Sequence, residues 1–305
     1  MINTASILTG ACILSILLNM SGNAEATSSK AGTKGGQFLK IDVGARPAAM
    51  GGAFVAVDGD VNAICWNPAS LGSINKHQEF TFMHNEWLND VRYEFVGYAK
   101  PINDNRVIAG GITYLGSGNI EGWKDQNTQD DFSAGDMAVT MSYARKMNEQ
   151  MLVGANARLI HQKIKNSTAA GVAMDMGILY STRVKGLNVG VALRNLGTRM
   201  KFENEADSLP LELKGGIAFN MPNKKSLCVL DITIPIDNAV RINTGVEYHL
   251  TPKLSLRTGY NSNNDIDKGL SAGIGFGTEG LQFDYAFVPY GDVDNTHRAS
   301  IRRRF

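Results

Sequence analysis

The chain has 305 residues, of which 43% are hydrophobic and 19% charged, and its net charge is +1. This composition argues against a disordered chain, and the lack of long blocks of like charge argues against a nucleic-acid partner. One apolar stretch, at the N-terminus, excludes a helical multi-span membrane protein, and three cysteines without a CxxC pair exclude a disulfide scaffold and a zinc ribbon. A glycine-rich, charge-poor chain of this kind favours a β-protein.

Residues 1–26 are predicted to be a cleaved signal peptide. Residues 7–20 are apolar over about the length of a secretory hydrophobic region, and Ala24-Glu25-Ala26 forms an A-x-A site that places cleavage after Ala26. No Lys or Arg precedes the apolar run, so an uncleaved anchor helix stays the alternative.

Residues 27–77 are predicted to form a compact hatch, or plug. They lack the strand period of the chain that follows, and they are dense in Gly and Ala, which lets a segment pack closely against other backbone. Their glycine run is not a nucleotide loop, because it contains no GxGxxG and no Gly-Lys-Ser/Thr.

From about residue 78 to the end, apolar residues fall on alternate positions for roughly ten residues at a time, and turns rich in Gly, Asn, Asp or Pro follow. One example is the run Val172, Met174, Met176, Ile178 and Tyr180, with Asp175 and Gly177 between. About fourteen such segments begin near Phe80, Val91, Val107, Met137, Leu152, Val172, Leu187, Leu211, Leu227, Val240, Leu254, Leu270, Leu281 and Arg298.

We therefore predict an all-β fold, a membrane-spanning antiparallel β-barrel of about fourteen strands over residues 78–305, with the hatch in its lumen. An even count of roughly ten-residue strands with short connections is typical of outer-membrane barrels. Residues 115–132 and 199–209 are the longer connections, which in such barrels face the cell exterior. The alternative, a pair of secreted β-sandwiches, would need a linker near the middle, and none is visible.

The C-terminal residue Phe305 is predicted to be an assembly signal. It ends an alternating series with Ala299, Ile301 and Arg303, and a terminal Phe on an amphipathic last strand is similar to the signal read by the barrel-assembly machinery. Arg303 lies on the lipid-facing phase, where an Arg near the interface costs only about 0–1 kcal/mol. The expected location is the outer membrane of a Gram-negative cell, in contact with its lipid.

Charged residues on the polar phase of the strands are predicted to point into the barrel. They are Arg92, Glu94, Asp136, Arg158, Asp175, Glu212, Lys214, Asp231, Arg241, Glu247, Arg257, Asp284 and Arg298. Because both signs occur in near balance, an ion-selective pore is disfavoured and a salt-bridged lining around a filled lumen is favoured. A wet, nonspecific pore stays the alternative.

Residues 38–71 resemble the N-terminal signature of the PorV/PorQ family of outer-membrane barrels, which are similar to the FadL long-chain fatty-acid transporters. The matching hatch motif comprises Gly44, Arg46, Met50, Gly51, Gly52, Trp66, Asn67, Pro68 and Ala69. Further matches lie at residues 87–94, 142–145, 195–197, 209–210 and 296–298. Departures are Ser70 for Gly, Cys65 for an aromatic residue, and three arginines at residues 302–304, which we expect to affect assembly efficiency.

The resemblance implies a fourteen-stranded barrel with a luminal hatch, and two roles. PorV-type members receive secreted cargo of the type IX secretion system, whereas FadL-type relatives pass hydrophobic molecules through the barrel wall. We predict an accessory of protein secretion and surface delivery, with a channel for fatty acids or hydrocarbons as the alternative. A structural barrel with an immobile plug is the third hypothesis. The modest loops give the cargo-binding role little support.

No enzyme, metal site or cofactor is predicted. The histidines show no metal spacing, and no G-x-S-x-G elbow is present. Ser142 and His161 lie on neighbouring predicted strands, but no motif marks them as a catalytic pair. Cys65 and Cys228 are expected to be two separate buried cysteines rather than a disulfide.

Overall fold

A computed structural model describes residues 32–87, 91–125, 128–203, 205–222, 225–262, 269–278, 280–290 and 295–305. The predicted signal peptide, residues 1–26, lies outside the described residues, as do residues 88–90 of one stretch that matches the family pattern. None of the helices in the described part of the chain is long and apolar enough to cross a membrane.

The chain folds into a closed β-barrel of fourteen strands, as predicted. The barrel strands are β1 (Glu79–Glu86), β2 (Arg92–Asn103), β3 (Arg106–Gly116), β6 (Ala134–Lys146), β7 (Met151–Ile164), β8 (Ser167–Ser181), β9 (Leu187–Gly197), β12 (Glu212–Asn220), β13 (Ser226–Pro235), β14 (Arg241–Thr251), β15 (Leu254–Asn261), β16 (Leu270–Gly277), β17 (Leu281–Pro289) and β18 (Asn295–Arg304). Each of the fourteen predicted segments corresponds to one of these strands.

Every strand pairs antiparallel with the next barrel strand along the chain, and β1 pairs with β18 to close the cylinder. Closure leaves no sheet edge, which satisfies the backbone hydrogen bonds that lipid cannot satisfy. The two longest connections carry small hairpins, β4 (Trp123–Asp125) with β5 (Thr128–Gln129), and β10 (Met200–Phe202) with β11 (Glu205–Asp207). They lie at one end, the long-loop end. The opposite end, which holds Glu79 and Phe305, is the short-turn end.

Side chains alternate between the two faces of the wall, because strand residues point to opposite sides with period two. On β8, Met174, Met176 and Ile178 are exposed on the outer face, whereas Asp175 and Gly177 are buried on the inner face. The outer face is apolar, as a wall in contact with lipid requires.

The prediction that Arg92 and Glu94 point inward is wrong. On β2 the inner positions belong to Tyr93 and Phe95, each 1% exposed, so the charged residues take the outer phase. There, Glu94 Oε1 lies 2.7 Å from His84 Nδ1. The error has a physical cause: the inner face of β2 meets apolar side chains inside the barrel, so its inward residues are apolar too.

Residues 36–74, called here the luminal segment, lie inside the barrel and supply half of the buried residues of its main apolar cluster. They form short helical turns: Gln37–Lys40, α1 (Ala45–Ala49), Val61–Cys65 and Pro68–Ser73. The side chains of Asp60 and Asn67 accept hydrogen bonds from Asn62 N and Ala69 N and so cap the last two turns. The turns pack against β1, β2, β3, β6, β7, β8, β15, β16, β17 and β18.

Candidate functional site

Glycines stand on the inner wall of the barrel at several places where the luminal segment touches it. Seven inward-facing glycines have luminal atoms within 3.0 Å of the position that a Cβ would occupy: Gly154, Gly177, Gly190, Gly216, Gly245, Gly259 and Gly273. At Gly154, for instance, a Cβ would stand 2.5 Å from the carbonyl oxygen of Pro68, well inside van der Waals contact. The segment is therefore seated backbone against backbone on several sides of the wall.

The predicted motif residues Asn67, Pro68 and Ala69 form one of these contacts. Asn67 Nδ2 donates to the carbonyl oxygens of Val55, at 2.7 Å, and of Ile178 on β8, at 3.1 Å. Its Oδ1 accepts from Ala69 N at 3.1 Å. One buried amide thus caps a helical turn, joins two parts of the luminal segment and ties both to the wall, which a side chain with only donors or only acceptors could not do.

Met50, Gly51 and Gly52 form a second contact on the opposite side. Gly51 and Gly52 have φ of 66° and 74°, in the left-handed region that favours glycine. Gly51 N donates to Ser271 Oγ at 3.1 Å, and its carbonyl oxygen accepts from Asn243 Nδ2 at 2.6 Å. The tight turn therefore brings luminal backbone directly onto β14 and β16, with Met50 fully buried beside it.

Gly44 and Trp66 join the two halves of the luminal segment. Gly44 has a φ of 92°, and a Cβ there would lie 2.8 Å from Asn62 Cγ. Trp66 Nε1 donates to the Val43 carbonyl at 2.9 Å, and the Lys214 ammonium of β12 stands 4.7 Å from the Trp66 ring. The buried indole is thus hydrogen-bonded at its edge and covered by a cation on its face.

Arg46 is the hub of a buried ion network. Its guanidinium binds both carboxylate oxygens of Glu247 on β14, at 2.8 Å each, and Asp60 Oδ2 at 3.0 Å. Glu247 also accepts from Arg257 Nε on β15 at 2.6 Å. Burial lowers the pKa of Arg46, but the two carboxylates raise it by more, so it stays charged.

The arginines near the C-terminus bind the middle of the luminal segment and the start of β1. Arg302 Nη1 binds Asp60 Oδ2 at 2.7 Å, and Arg304 Nε binds Glu79 Oε2 at 2.8 Å. Burial raises the pKa of Asp60, yet Arg302 and Arg46 together hold it below its usual range. No motif in the sequence marks this role, although strand alternation with an outward Arg303 already places both neighbouring arginines inside.

A second network surrounds an irregularity in the wall. Asn195 has a φ of 61°, and the pairing of β8 with β9 shifts register between Met174 and Met176. Asp175 accepts from Asn195 N at 2.8 Å and from Arg158 Nη2 at 2.7 Å. Arg158 Nη1 also donates to Asn195 Oδ1 at 2.6 Å. These inward charges are paired with each other, as the prediction of a salt-bridged lining requires.

The structure does not bring together Ser142 and His161, the pair considered from the sequence. Ser142 is buried on the inner face, whereas His161 is exposed on the outer face, so the wall separates them. Cys65 is inside the barrel and Cys228 is on the outer phase of β13, and neither forms a disulfide. Burial raises the pKa of the Cys65 thiol to about 11. In the described part of the chain, no three His, Cys, Asp or Glu residues cluster as a metal site would.

An apolar groove of about 490 Å³ lies on the outer face, directly behind the Asn67-Pro68-Ala69 turn. Gly154 and Gly177 form its floor, and outward side chains of β6, β8, β9 and β12 form its sides: Tyr143, Met176, Ile178, Val191 and Leu213. At this place only the glycine backbone of the wall separates the groove from the luminal segment.

The fold is similar to that of known hydrocarbon channels. The toluene transporter TbuX of Ralstonia pickettii aligns with a TM-score of 0.62 and 13% identity, over 86% of this chain and 98% of that one. The toluene transporter TodX of Pseudomonas putida gives 0.64 and 11%, over 85% and 95%. The monoaromatic hydrocarbon channel CymD gives 0.66 and 12%, over 87% and 98%. At such low identity the likeness shows the fold alone.

No curated protein matches the chain in sequence. The family described as type IX secretion system protein PorV matches it over residues 24–234, more than half of the chain. The matched range contains the whole luminal segment, the strands from β1 to most of β13, and both hairpins. The five strands that line the groove all lie within it.

Proposed function

Since this chain belongs to the family of the type IX secretion system protein PorV, we propose that it is a non-enzymatic accessory of protein secretion and surface delivery. In this role the barrel anchors a binding surface in the membrane and does not itself conduct. A protein cargo meets the surface of the barrel, and the luminal segment stays in place as a fixed plug.

The seating of the luminal segment is the observation that supports a non-conducting barrel. Inward glycines accept its backbone on several sides, and its charges are paired with strand residues. Moving it would separate buried ion pairs, and exposing one partner of such a pair typically costs about 3–5 kcal/mol. The segment makes several such contacts at once, so displacement as a unit is costly.

We propose that the barrel lies in the outer membrane of a Gram-negative cell, with outer-membrane lipid around its apolar face. The short-turn end, with Phe305, faces the periplasm, and the long-loop end faces outward, as in barrels with short periplasmic turns. Phe305 is 68% exposed and backbone-paired with Gln78, so its ring is accessible to the barrel-assembly machinery.

The surface proposed to meet cargo is the long-loop end. Its β4–β5 hairpin presents Trp123, which is 63% exposed and is a residue type enriched at protein interfaces. The β10–β11 hairpin packs against the barrel instead, because its Met200 is 1% exposed and lies against Gly171 of β8. The first hairpin is therefore the better candidate for cargo contact.

The test is a comparative secretome and surface proteome of a deletion strain and its parent. We expect a defined set of exported proteins to be held in the periplasm of the deletion strain, and plasmid-borne protein to restore their export. Unchanged surface and medium proteomes would show that the chain is no part of secretion.

A second candidate function is a channel for hydrophobic small molecules, favoured by the apolar groove and by the fold shared with hydrocarbon channels. It requires the luminal segment to move away from Gly154 and Gly177. Mass spectrometry of the purified barrel and hydrocarbon uptake by the deletion strain test it. A co-purified lipid or hydrocarbon with slower uptake would support this function, whereas an empty barrel and unchanged uptake would exclude it.

A further inference from the structure

A polar cavity of about 310 Å³ opens at the long-loop end, between the luminal segment and the strand ends. Its lining includes Lys40 and Asp42 of the luminal segment, Arg241 at the start of β14, and the aromatic residues Trp87 and Tyr290. The volume lies at the lower end of the range for ligand sites, which suits one small molecule and not a folded domain.

The two cations of the cavity are held in place by carboxylates, yet keep donors to spare. Arg241 Nη2 donates to Glu212 Oε2 at 3.0 Å, and Lys40 Nζ donates to Asp237 Oδ2 at 2.9 Å. A guanidinium has five N–H donors and an ammonium three, so each side chain has further donors for a ligand. Their positions are fixed before any ligand arrives.

Asp42 supplies the opposite charge. Among the residues that the structure describes, its carboxylate has no hydrogen-bond or ion-pair partner. Gly52 leaves room for it, since a Cβ at Gly52 would lie 2.8 Å from Asp42 Oδ2. Its backbone carbonyl accepts from the buried Arg298 at 3.3 Å, which fixes the main chain at this point.

An aromatic pair forms one side of the cavity. The rings of Trp87 and Tyr290 meet edge to face, with centroids 5.2 Å apart, and the Arg298 guanidinium lies 5.4 Å from the Trp87 ring. These contacts hold an apolar surface beside the charged groups, where it can pack against a ligand side chain.

We propose that this cavity binds a small zwitterion, an α-amino acid with an apolar side chain. The ammonium group pairs with Asp42, the carboxylate meets Arg241 and Lys40, and the side chain packs against Trp87 and Tyr290. A ligand with a single charge would leave either the Asp42 carboxylate without a partner or the spare donors of Arg241 and Lys40 without an acceptor, which is costly in a half-enclosed site. The site goes beyond the secretion role and does not depend on it.

The test is isothermal titration of the purified, detergent-solubilised barrel with L-phenylalanine and two analogues, phenethylamine without the carboxylate and 3-phenylpropionate without the ammonium. We expect L-phenylalanine to bind and each analogue to bind about tenfold more weakly or worse, since hydrogen bonds to charged groups carry effects of this size. Equal binding of phenethylamine, equal binding of 3-phenylpropionate, or no binding of L-phenylalanine would each overturn the proposal.

Matched variants separate the site from nonspecific binding. Asp42→Asn keeps the shape of the side chain and breaks no ion pair, so the barrel is expected to fold, as its heat-modifiable migration will show. It should weaken L-phenylalanine about tenfold and leave 3-phenylpropionate unchanged. Asp58→Asn, an exposed change on the same segment, should leave both unchanged. Equal effects of Asp42→Asn and Asp58→Asn would overturn the assignment of Asp42.

Discussion

The carbonyl oxygen of Pro68 lies only 2.5 Å from the point where a Cβ atom of residue 154 would be, and Gly154 leaves that point empty. A strand normally gains stability from a side chain that packs against its neighbours, so glycine at this position weakens β7 as a strand. The missing side chain leaves room for the backbone of the luminal segment. The wall and the luminal segment are therefore complementary in shape, and a substitution in either one should disturb its packing against the other.

Gly154→Ala is expected to destabilise the barrel by about 1–3 kcal/mol, the usual cost of overpacking, because backbone atoms of the luminal segment must move. The control is Gly215→Ala on β12, where a Cβ meets nothing within 4 Å and the effect should stay within about 0.5 kcal/mol. Thermal unfolding in detergent measures both. Equal stability of the two variants would mean that the luminal segment is not seated on Gly154.

Asn67→Ala is expected to cost about 2–4 kcal/mol, since it removes two bonds to the carbonyls of Val55 and Ile178 and the cap on Ala69. Asn75→Ala is the comparison within the same polypeptide stretch. Asn75 makes one exposed bond to the Asp104 carbonyl, so its loss should be close to neutral. A small effect at both positions would argue against Asn67 as the tie between segment and wall.

Asp60 should make part of the stability depend on pH. Burial raises its pKa, but Arg302 and Arg46 hold it below the ordinary 3.8, so the charged form stabilises the fold. A lowered pKa gives stability that is present above about pH 4 and is lost as the pH falls through the folded value. Asp60→Asn should thus be less stable than the parent at pH 7, by up to about 3–5 kcal/mol, and the gap should narrow below about pH 4.

The measurement for Asp60 is the unfolding midpoint from pH 7 to pH 2.5, with Asp58→Asn as the exposed control. Because Asp58 is exposed, the Asp58→Asn variant should have the same unfolding midpoint as the parent at every pH in this range. A gap between Asp60→Asn and the parent that stayed constant across this range would contradict the lowered pKa.

Phe305→Ala is expected to reduce the amount of folded barrel in cells severalfold and to leave the stability of the purified protein unchanged. The ring is 68% exposed, and the Arg303 guanidinium lies 5.5 Å from its centroid, so folding itself gains little from it. Phe276→Ala removes a ring of similar exposure, 59%, from β16. If both variants lower the cellular yield equally, position 305 carries no special assembly signal.

The sequence predicted the wall well because a strand with one apolar face is a local pattern. It failed at Arg92 and Glu94, where the rule that polar residues point inward does not hold. The luminal segment brings apolar side chains against Tyr93 and Phe95, so the inner face of β2 is apolar. Which strands meet an apolar neighbour inside a barrel is decided by distant residues, and alternation alone cannot show it.

The candidate site could be recognised as a motif, but its partners could not be. Alternation places Arg302 and Arg304 inside, yet nothing in the sequence links Arg302 to Asp60, which is distant in the chain. The glycines that contact the luminal segment could not be identified from the sequence either, since an isolated glycine in a strand is equally typical of a bulge or a weak strand. Complementarity between wall and segment appears only in three dimensions.

The sharpest test locks the luminal segment to the wall and asks whether secretion continues. A Cβ at Gly72 would stand 3.6 Å from the Leu152 Cβ, within the range for a disulfide, so Gly72→Cys with Leu152→Cys should cross-link the segment to β7. Cys65→Ala and Cys228→Ser remove the native thiols beyond the predicted signal peptide, and the same chain without the new pair is the control. We expect the locked barrel to restore export in a deletion strain as fully as the control. Export that is lost in the locked strain and regained with a reductant would show that the segment must move, and a fixed, non-conducting barrel would be wrong.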